Sequence, residues 1–568
     1  MAQHIVIIGA VALGPKAACR FKRLEPGSRV TMIDRMRLIS YGGCGIPYFV
    51  SGDVSSPEEL QSTSYHAIRD ANFFKTTKDV DVMTGTEAVG IDRAAKTVTV
   101  RDVATGKESV LSYDKLVIGT GCSARRIPIQ GYDTPGVFAV SSLDEAIAIK
   151  AMVARGDVGS AVIVGGGFIG LEMAEAFADM WGIETTVVEV QPQILPGVAG
   201  RNLARMAQKV MEEGGVTFHL AETVQRIEGD GKVERVVTNK RTIEADMVVM
   251  AVGVVPNDQL AKAAGLNVHE RGGIVVDATM RTSDPDIFAG GDCVVIKHQV
   301  TGQPFFLPMG SMANRQGRVI GTNLAGGAAT FDGAVGSWCV KLFEQAAAGT
   351  GLTLSAALAA GFDAVSVHVS QFDRAHFYPT RDLMSLEMVL ERGSRRVLGV
   401  QGISGNGDAL VGRIDAVAAI LPHRPTVDDI SNLELAYSPP FASAMDILNA
   451  LANAADNTLA GRMKTIDVDA FAELFANRDA GDVVFLDCRA SGNSDEFAAK
   501  YPDVWKPIPQ DELRRRMNEV PRDKQLVLVC NTGVRSFEAQ IVLTDAGVPN
   551  TLNLQGGMTA VRKWGMDI

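Results

Sequence analysis

Cys44 stands in the run ISYGGCGIPYFVSGD, flanked by glycines and followed by an Ile-Pro step. That setting places a thiol at an exposed turn leading into a helix. The positive end of the helix favours the thiolate, the form that attacks sulfur. At the position where a C-x4-C redox pair would have its second thiol, the residue is Phe49. The chemistry open to Cys44 is therefore that of one sulfur: a mixed disulfide, a persulfide or a sulfenic acid. A buried structural cysteine is the competing reading. Cys530, in VCNTGVRS, sits at a strand end and opens a short loop into a helix, with four residues between it and Arg535. Backbone N–H groups, Arg535 and the helix dipole surround one atom in such a loop. They stabilise a thiolate or the outer, anionic sulfur of a persulfide. A compact oxyanion also fits, so a phosphatase-like loop is the alternative. Cys19, Cys122, Cys293, Cys339 and Cys488 read as packed structural cysteines.

Two glycine loops supply the second chemistry. In IVIIGAVALG, Gly9 and Gly14 keep two of the three glycines of G-x-G-x-x-G, and Val11 replaces the middle one. A strand precedes the loop, a helix follows, and Asp34 ends the next strand 25 residues after Gly9. A pyrophosphate on the helix N-terminus and ribose hydroxyls on the acid are the expected partners. Gly119-Thr120-Gly121 and the run FAGGD, ending at Asp292, add close backbone approach and a polar anchor, which suits FAD. In VIVGGGFIGLEMAE, Gly165, Gly167 and Gly170 have the full spacing, and Glu189 ends the next strand. The acid and the lack of a following Arg favour NADH, with NADPH left open. Phe168 is a candidate gate over a flavin, or a packing aromatic. Glu172 either faces the nicotinamide pocket or is a solvated helix residue.

These residues need scaffolds. Strand-like His4–Gly9, helical Gly14–Leu24 and strand-like Arg29–Asp34 recur as Ala161–Gly165, Phe168–Met180 and Thr185–Glu189. Two βαβ units about 155 residues apart give two dinucleotide-binding domains. A mixed β/α stretch follows, then the polar run NAADNTLAGR reads as a linker, then a small α/β unit closes the chain. The 568 residues suit about four domains. With 46% hydrophobic and 21% charged residues, disorder is excluded. A net charge of −11 argues against a general nucleic-acid binder. No apolar run reaches the ~20 residues of a membrane span. No signal peptide is read at the start, and seven scattered cysteines without a CxxC pair suit a reduced, cytoplasmic chain with no metal.

Residues 1–450 resemble the single-cysteine branch of the flavin disulfide reductases, the group with coenzyme A-disulfide reductase, NADH oxidase and NADH peroxidase. The stretches that carry the likeness are GAVALG, ISYGGCGIPY, GTGCSARRIP, VGGGFIGLEMAE, AVGVVPN, TSDPDIFAGGDC and ANRQGRVIG. Residues 465–568 resemble a rhodanese domain through FLDCR, VCNTGVRS and NLQGGM. The likeness implies an α/β chain of four parts. An FAD-binding domain takes 1–148 and 275–330, and an NAD(P)H-binding domain 149–274, both Rossmann-like. An α+β dimerisation domain takes 331–452. A linker over 453–464 leads to an α/β rhodanese domain over 465–568.

Within the group, coenzyme A enzymes are favoured. Ala12 stands where peroxidase-like members place a histidine. ACRFKRL resembles a basic helix start that holds coenzyme A phosphates, which singles out Arg20, Lys22 and Arg23; a solvated helix face is the alternative. Ser40 keeps its family place, while Gly43 replaces an Asn common before the redox cysteine. HFYPT and LAYSPPF resemble segments whose tyrosines, here Tyr378 and Tyr437, reach the partner subunit's redox cysteine and protonate a leaving thiolate. The resemblance thus implies a homodimeric reductase of persulfides, polysulfides or coenzyme A disulfide, with Cys530 as sulfur carrier and no nucleic-acid or membrane partner. An NADH oxidase working through a sulfenic acid, and a sulfur sensor without turnover, are the rivals.

Overall fold

The computed structural model describes residues 2–568. Two compact units emerge, residues 1–190 with 215–334, and residues 191–214 with 335–568.

The first unit holds two parallel sheets of five strands that share the order of four strands and differ in where the chain supplies the fifth, an edge strand. In the first, the order is Ile287–Ala289, Lys115–Ile118, His4–Ile8, Arg29–Ile33, Asp81–Met83. In the second it is Val216–Leu220, Glu184–Glu189, Ser160–Val164, Met247–Met250, Val137–Phe138. The central strands carry near-continuous apolar runs, IVII in His4–Ile8 and AVIV in Ser160–Val164, as a sheet covered on both faces requires. Ile5, Val6 and Ile7 are fully buried, as are Leu116 and Val117 beside them. Because both sheets are parallel, each glycine loop emerges at the carboxyl end of a central strand, where doubly wound sheets bind ligands.

Helix Leu13–Leu24 crosses helix Gly310–Leu324 at close range. Added Cβ atoms on Gly317 and Gly321 would lie 2.8 Å from Leu13 O and 2.6 Å from Ala17 O. Two glycines one turn apart thus set the seat of the long helix.

In the second unit, five antiparallel strands run in the order Trp338–Leu342, Gln345–Gly351, Val397–Ser404, Leu383–Glu391, Ala364–Phe372. Helix Gly407–Ile420 is built against this sheet. The last domain is a parallel sheet ordered Thr465–Ile466, Thr551–Leu554, Gln525–Val529, Val483–Asp487, Trp505–Pro507.

The linker expected over 453–464 is corrected in its first half. Helix Ile447–Leu459 continues through it. Asp446 caps its start by accepting the Leu448 N–H, and Leu451, Ala452 and Ala455 are buried. The small polar residues occupy its outer positions, and alanine is a strong helix former. Among the described residues, no helix is long and apolar enough to cross a membrane.

Candidate active sites

The two glycine loops are built by matching contacts. Asp34 accepts the N–H groups of Ala10 at 2.8 Å and Met36 at 2.9 Å. Glu189 accepts that of Gly166 at 2.7 Å. Both carboxylates are buried, so each pins its loop as well as ending its strand. Burial pushes the Asp34 carboxyl above its usual range, and the backbone N–H groups oppose the rise. A Cβ on Gly9 would overlap Gly119 O, and one on Gly165 would overlap Ala251 O. Gly14 and Gly170 press against the carbonyls of Gly9 and Gly165 in the same manner.

Dinucleotides fit these loops. Neither following helix has a side-chain cap or an acid in its first turn, so its leading N–H groups suit a pyrophosphate. A Cβ on Gly167 would meet nothing within 4 Å, which leaves that backbone open to close approach. Val11, in the equivalent place, is half-buried and leaves the loop's hydrogen bonds intact. Phe168 is half-buried at the helix start. One turn on, burial and then Glu175 push the Glu172 carboxyl up to about 7. A group that exchanges a proton near neutrality is the kind found at working sites.

Thr120 is held by a residue that sequence reasoning missed. Asn257, in AVGVVPN, accepts the Thr120 hydroxyl on its backbone oxygen at 2.6 Å. Its amide returns a hydrogen bond to Thr120 O at 2.9 Å, and its N–H donates to Gly121 O. Asp292 is half-buried and accepts the Cys122 thiol at 3.4 Å. Burial and then this carboxylate push the Cys122 thiol up to about 12, so Cys122 stays protonated and structural.

Cys44 is exposed, in a single tight turn over Gly43–Gly45 ahead of helix Ile46–Ser51. Six residues make a weak dipole. A longer helix does reach the sulfur: a Cβ on Gly310, the first residue of Gly310–Leu324, would lie 3.8 Å from Cys44 Sγ. That helix also starts without a side-chain cap or an acid in its first turn. Its N-terminus, invisible from the local sequence around Cys44, is the stronger source of positive potential. Ser40 is buried at φ 50°, and its N–H donates to Ala10 O at 2.8 Å. The cysteine loop is thereby tied to the first glycine loop. Phe49 is buried under the ammonium of Lys150, which sits 4.1 Å from the ring centroid.

Gly9 offers a direct test of this assembly. Its φ is +104°, a conformation that alanine adopts only with strain. Strain of about 1–3 kcal/mol would add to the overlap with Gly119. Gly9→Ala is expected to lower the melting temperature and the flavin bound per chain together. Unchanged flavin content would contradict the close packing.

At the second sulfur, Cys530 is 1% exposed. The Gly533 N–H donates to its Sγ at 3.1 Å and the Ser536 hydroxyl at 3.2 Å. Gly533, at φ +93°, turns the chain into helix Val534–Asp545. Arg535 is half-buried in the first turn of that helix. The run NLQGGM and the Thr559 that follows it brace the loop: Met558 N–H donates to Cys530 O at 2.9 Å, Thr559 N–H to Asn531 O at 2.9 Å, and the Asn553 amide to Gly533 O at 3.1 Å. Below it, Asp487 and Arg489 form a buried, forked ion pair that Trp505 joins. Their role is structural. Cys488 is buried, and burial pushes its thiol up, with Cys530 and Asp487 adding to the rise.

The basic trio does not act as one group. Lys22 turns inward and is corrected: its ammonium donates to Pro26 O at 2.8 Å, Ser28 O at 2.8 Å and Asp79 Oδ2 at 2.6 Å. All three donors are used and the side chain is buried, so no phosphate can share it. Arg23 is exposed. Arg20 is half-buried and donates to the Thr322 hydroxyl at 3.0 Å. Tyr437 is exposed and Tyr378 half-buried, each on a loop of the antiparallel-sheet domain.

Cys339, expected to be packed, is exposed on strand Trp338–Leu342. Two Rossmann-like domains, an exposed thiol beside a helix N-terminus and a second, cradled thiol define a sulfur-handling nucleotide oxidoreductase. The chain belongs to the pyridine nucleotide-disulphide oxidoreductases, whose family description matches residues 3–312. The dimerisation domain of that family matches residues 339–448, and a rhodanese-like domain matches 470–563. The chain accordingly binds FAD and NAD(P)H. It is similar to the NAD-dependent persulfide reductase of A. fulgidus, with 38% identity, a TM-score of 0.92, and coverage of 99% of this chain and 100% of that one. A FAD-dependent pyridine nucleotide-disulphide oxidoreductase from Desulfovibrio vulgaris is 50% identical, with a TM-score of 0.65, over 80% of this chain and all of that one. The NAD(P)H sulfur oxidoreductase (CoA-dependent) of Pyrococcus abyssi is 35% identical over 79% of this chain and 97% of the relative.

Proposed function

We propose that this chain is an NADH-dependent reductase of sulfane sulfur, acting on persulfides, polysulfides or coenzyme A persulfide and disulfide. The observation that carries the reading is the pairing of two different single sulfurs in one chain. Cys44 is exposed with Phe49 in place of a second thiol, and Cys530 is enclosed by an N–H, a hydroxyl and a helix start. The first suits a sulfur that is attacked and reduced, the second a sulfur that is carried. The relatives' names, a persulfide reductase and a CoA-dependent sulfur oxidoreductase, support the same substrate class.

FAD and NADH supply the electron pair. The residues handle the sulfur. The Cys44 thiolate attacks the outer sulfur of RS–SH, forming the S–S bond of a Cys44 persulfide as the RS–S bond breaks and RS⁻ departs. Two electrons then break the new bond, restoring the thiolate and releasing hydrosulfide. The sum is RSSH + NADH + H⁺ giving RSH + H₂S + NAD⁺. The chain acts as a homodimer, in which Tyr437 and Tyr378 donate protons to the departing thiolate at the partner subunit's cysteine. Asp34 and Glu189 hold the two nucleotide loops, Arg20 and Arg23 attract coenzyme A phosphates, and Ser40 fixes the cysteine loop. Cys530 passes sulfane sulfur to or from Cys44 at high effective concentration.

The test is anaerobic NADH oxidation with sulfide assayed in parallel, using coenzyme A persulfide, polysulfide and coenzyme A disulfide. One sulfide per NADH with the persulfides is expected. Turnover of the disulfide alone would remove the sulfane-sulfur reading, and NADH consumption only with oxygen would refute the proposal altogether.

A further inference from the structure

Two irregular loops of the antiparallel-sheet domain carry exposed aromatic side chains. Residues 373–382 hold Phe377, which is 65% exposed, and half-buried Tyr378. Residues 437–446 hold Tyr437, 53% exposed, and Phe441, 72% exposed. Neither loop contains a strand or helix, so no ladder of their own fixes them.

Arg413, on helix Gly407–Ile420, joins the two. Its Nη2 shares its hydrogens among Asp373 O at 3.0 Å, Phe441 O at 3.4 Å and Asp446 Oδ2 at 2.8 Å. One nitrogen thus holds the start of the first loop and both the middle and the end of the second. Nη1 donates to Ala409 O at 3.1 Å, which ties the guanidinium to its own helix. The carboxylate it pairs with, Asp446, and the side chain of Asp373, whose backbone oxygen it holds, are committed in turn. Asp446 accepts the Leu448 N–H at the head of helix Ile447–Leu459. Asp373 accepts the Asp382 N–H at 2.9 Å, closing the first loop on itself, and also Arg374 Nε and the Asn406 amide. The Asp373 and Asp446 side chains are almost wholly out of water, and that of Arg413 is 12% exposed. A buried, charge-assisted network with this many fixed partners specifies one arrangement and penalises others.

We propose that Arg413 is a positioning residue that holds the Tyr378 and Tyr437 loops in one frame, so that the two phenols are presented as a unit. The inference rests on the reading of those tyrosines as proton donors. It assigns Arg413 no contact with substrate.

Hydrogen exchange and steady-state kinetics on the full-length holoenzyme test it. In Arg413→Ala, exchange is expected to rise in 373–382 and 437–446 together, with the strands at 383–404 unchanged. Sulfane-sulfur turnover should fall about 10- to 100-fold, with KM for NADH unmoved. In a Tyr378→Phe/Tyr437→Phe background, the same substitution should cost less than about twofold further, because its effect passes through the phenols. Should Arg413→Ala fail to fold, Arg413→Lys keeps the charge beside Asp446 without the fork and reads the same quantities. A rise in one loop only, or an undiminished loss in the double-phenylalanine background, would overturn the positioning role. Full activity of the double-phenylalanine chain would refute the tyrosine reading, while the exchange data would still judge the clamp separately.

Discussion

Cys44→Ser is expected to abolish turnover of every persulfide, polysulfide and disulfide, by at least about 1,000-fold. The argument rests on the single sulfur. A serine hydroxyl is not a nucleophile toward sulfane sulfur, and no neighbouring thiol can stand in, because Phe49 occupies the matching place and is buried. Cys122 offers no rescue either, since its thiol is pushed up to about 12 beside Asp292. The substitution should leave the fold intact. Cys44 is exposed and its loop is held by backbone bonds from Ser40 to Ala10 and from Gly42 to Leu60. The variant should therefore bind flavin fully and accept electrons from NADH once, then stop. Sulfide release per chain under anaerobic conditions is the measurement. Turnover within tenfold of the parent would mean that sulfur is reduced elsewhere.

The chemistry of both sulfurs was legible because each depends on a short local run. GGCGIP and CNTGVRS place a thiol at a turn and at a helix entrance by themselves, and the glycine loops are equally local. The structure bears out the two-Rossmann, interface and rhodanese architecture, since strand-loop-helix patterns are local too. Contacts between distant residues were not legible. The helix that meets Cys44 begins at Gly310, and nothing around either residue announces the other. Asn257 serves Thr120 across a similar gap. Lys22 looked like one of three equivalent cations, yet helix geometry separates neighbours by roughly 100°, and its side of the helix faces Asp79 and two carbonyls. The helix through 453–459 was hidden because small polar residues suit both a linker and an outer helix face. Its burial partners decide between them. Arg413 was missed for the same reason as Gly310: its acceptors come from two loops remote in the sequence.

Cys530→Ser is expected to divide substrates, where Cys44→Ser removes them all. Serine is nearly isosteric, and its hydroxyl can accept the Gly533 N–H and exchange a hydrogen bond with Ser536, so the loop should keep its shape. What is lost is the atom that forms a persulfide. A carried sulfur sits about 2 Å beyond Sγ, where the loop N–H groups and the Arg535 charge can hold its anionic form. Thiosulfate-like and protein-bound donors, which need that carrier, should lose about 1,000-fold or more. Small persulfides that reach Cys44 directly should keep a substantial share of their rate. Measuring sulfide release with both donor classes, in the same preparation, separates the two functions of the chain. Equal loss with both classes would mean that all sulfur reaches Cys44 through Cys530. Unchanged activity with every donor would remove the carrier role and leave the rhodanese domain to some separate reaction.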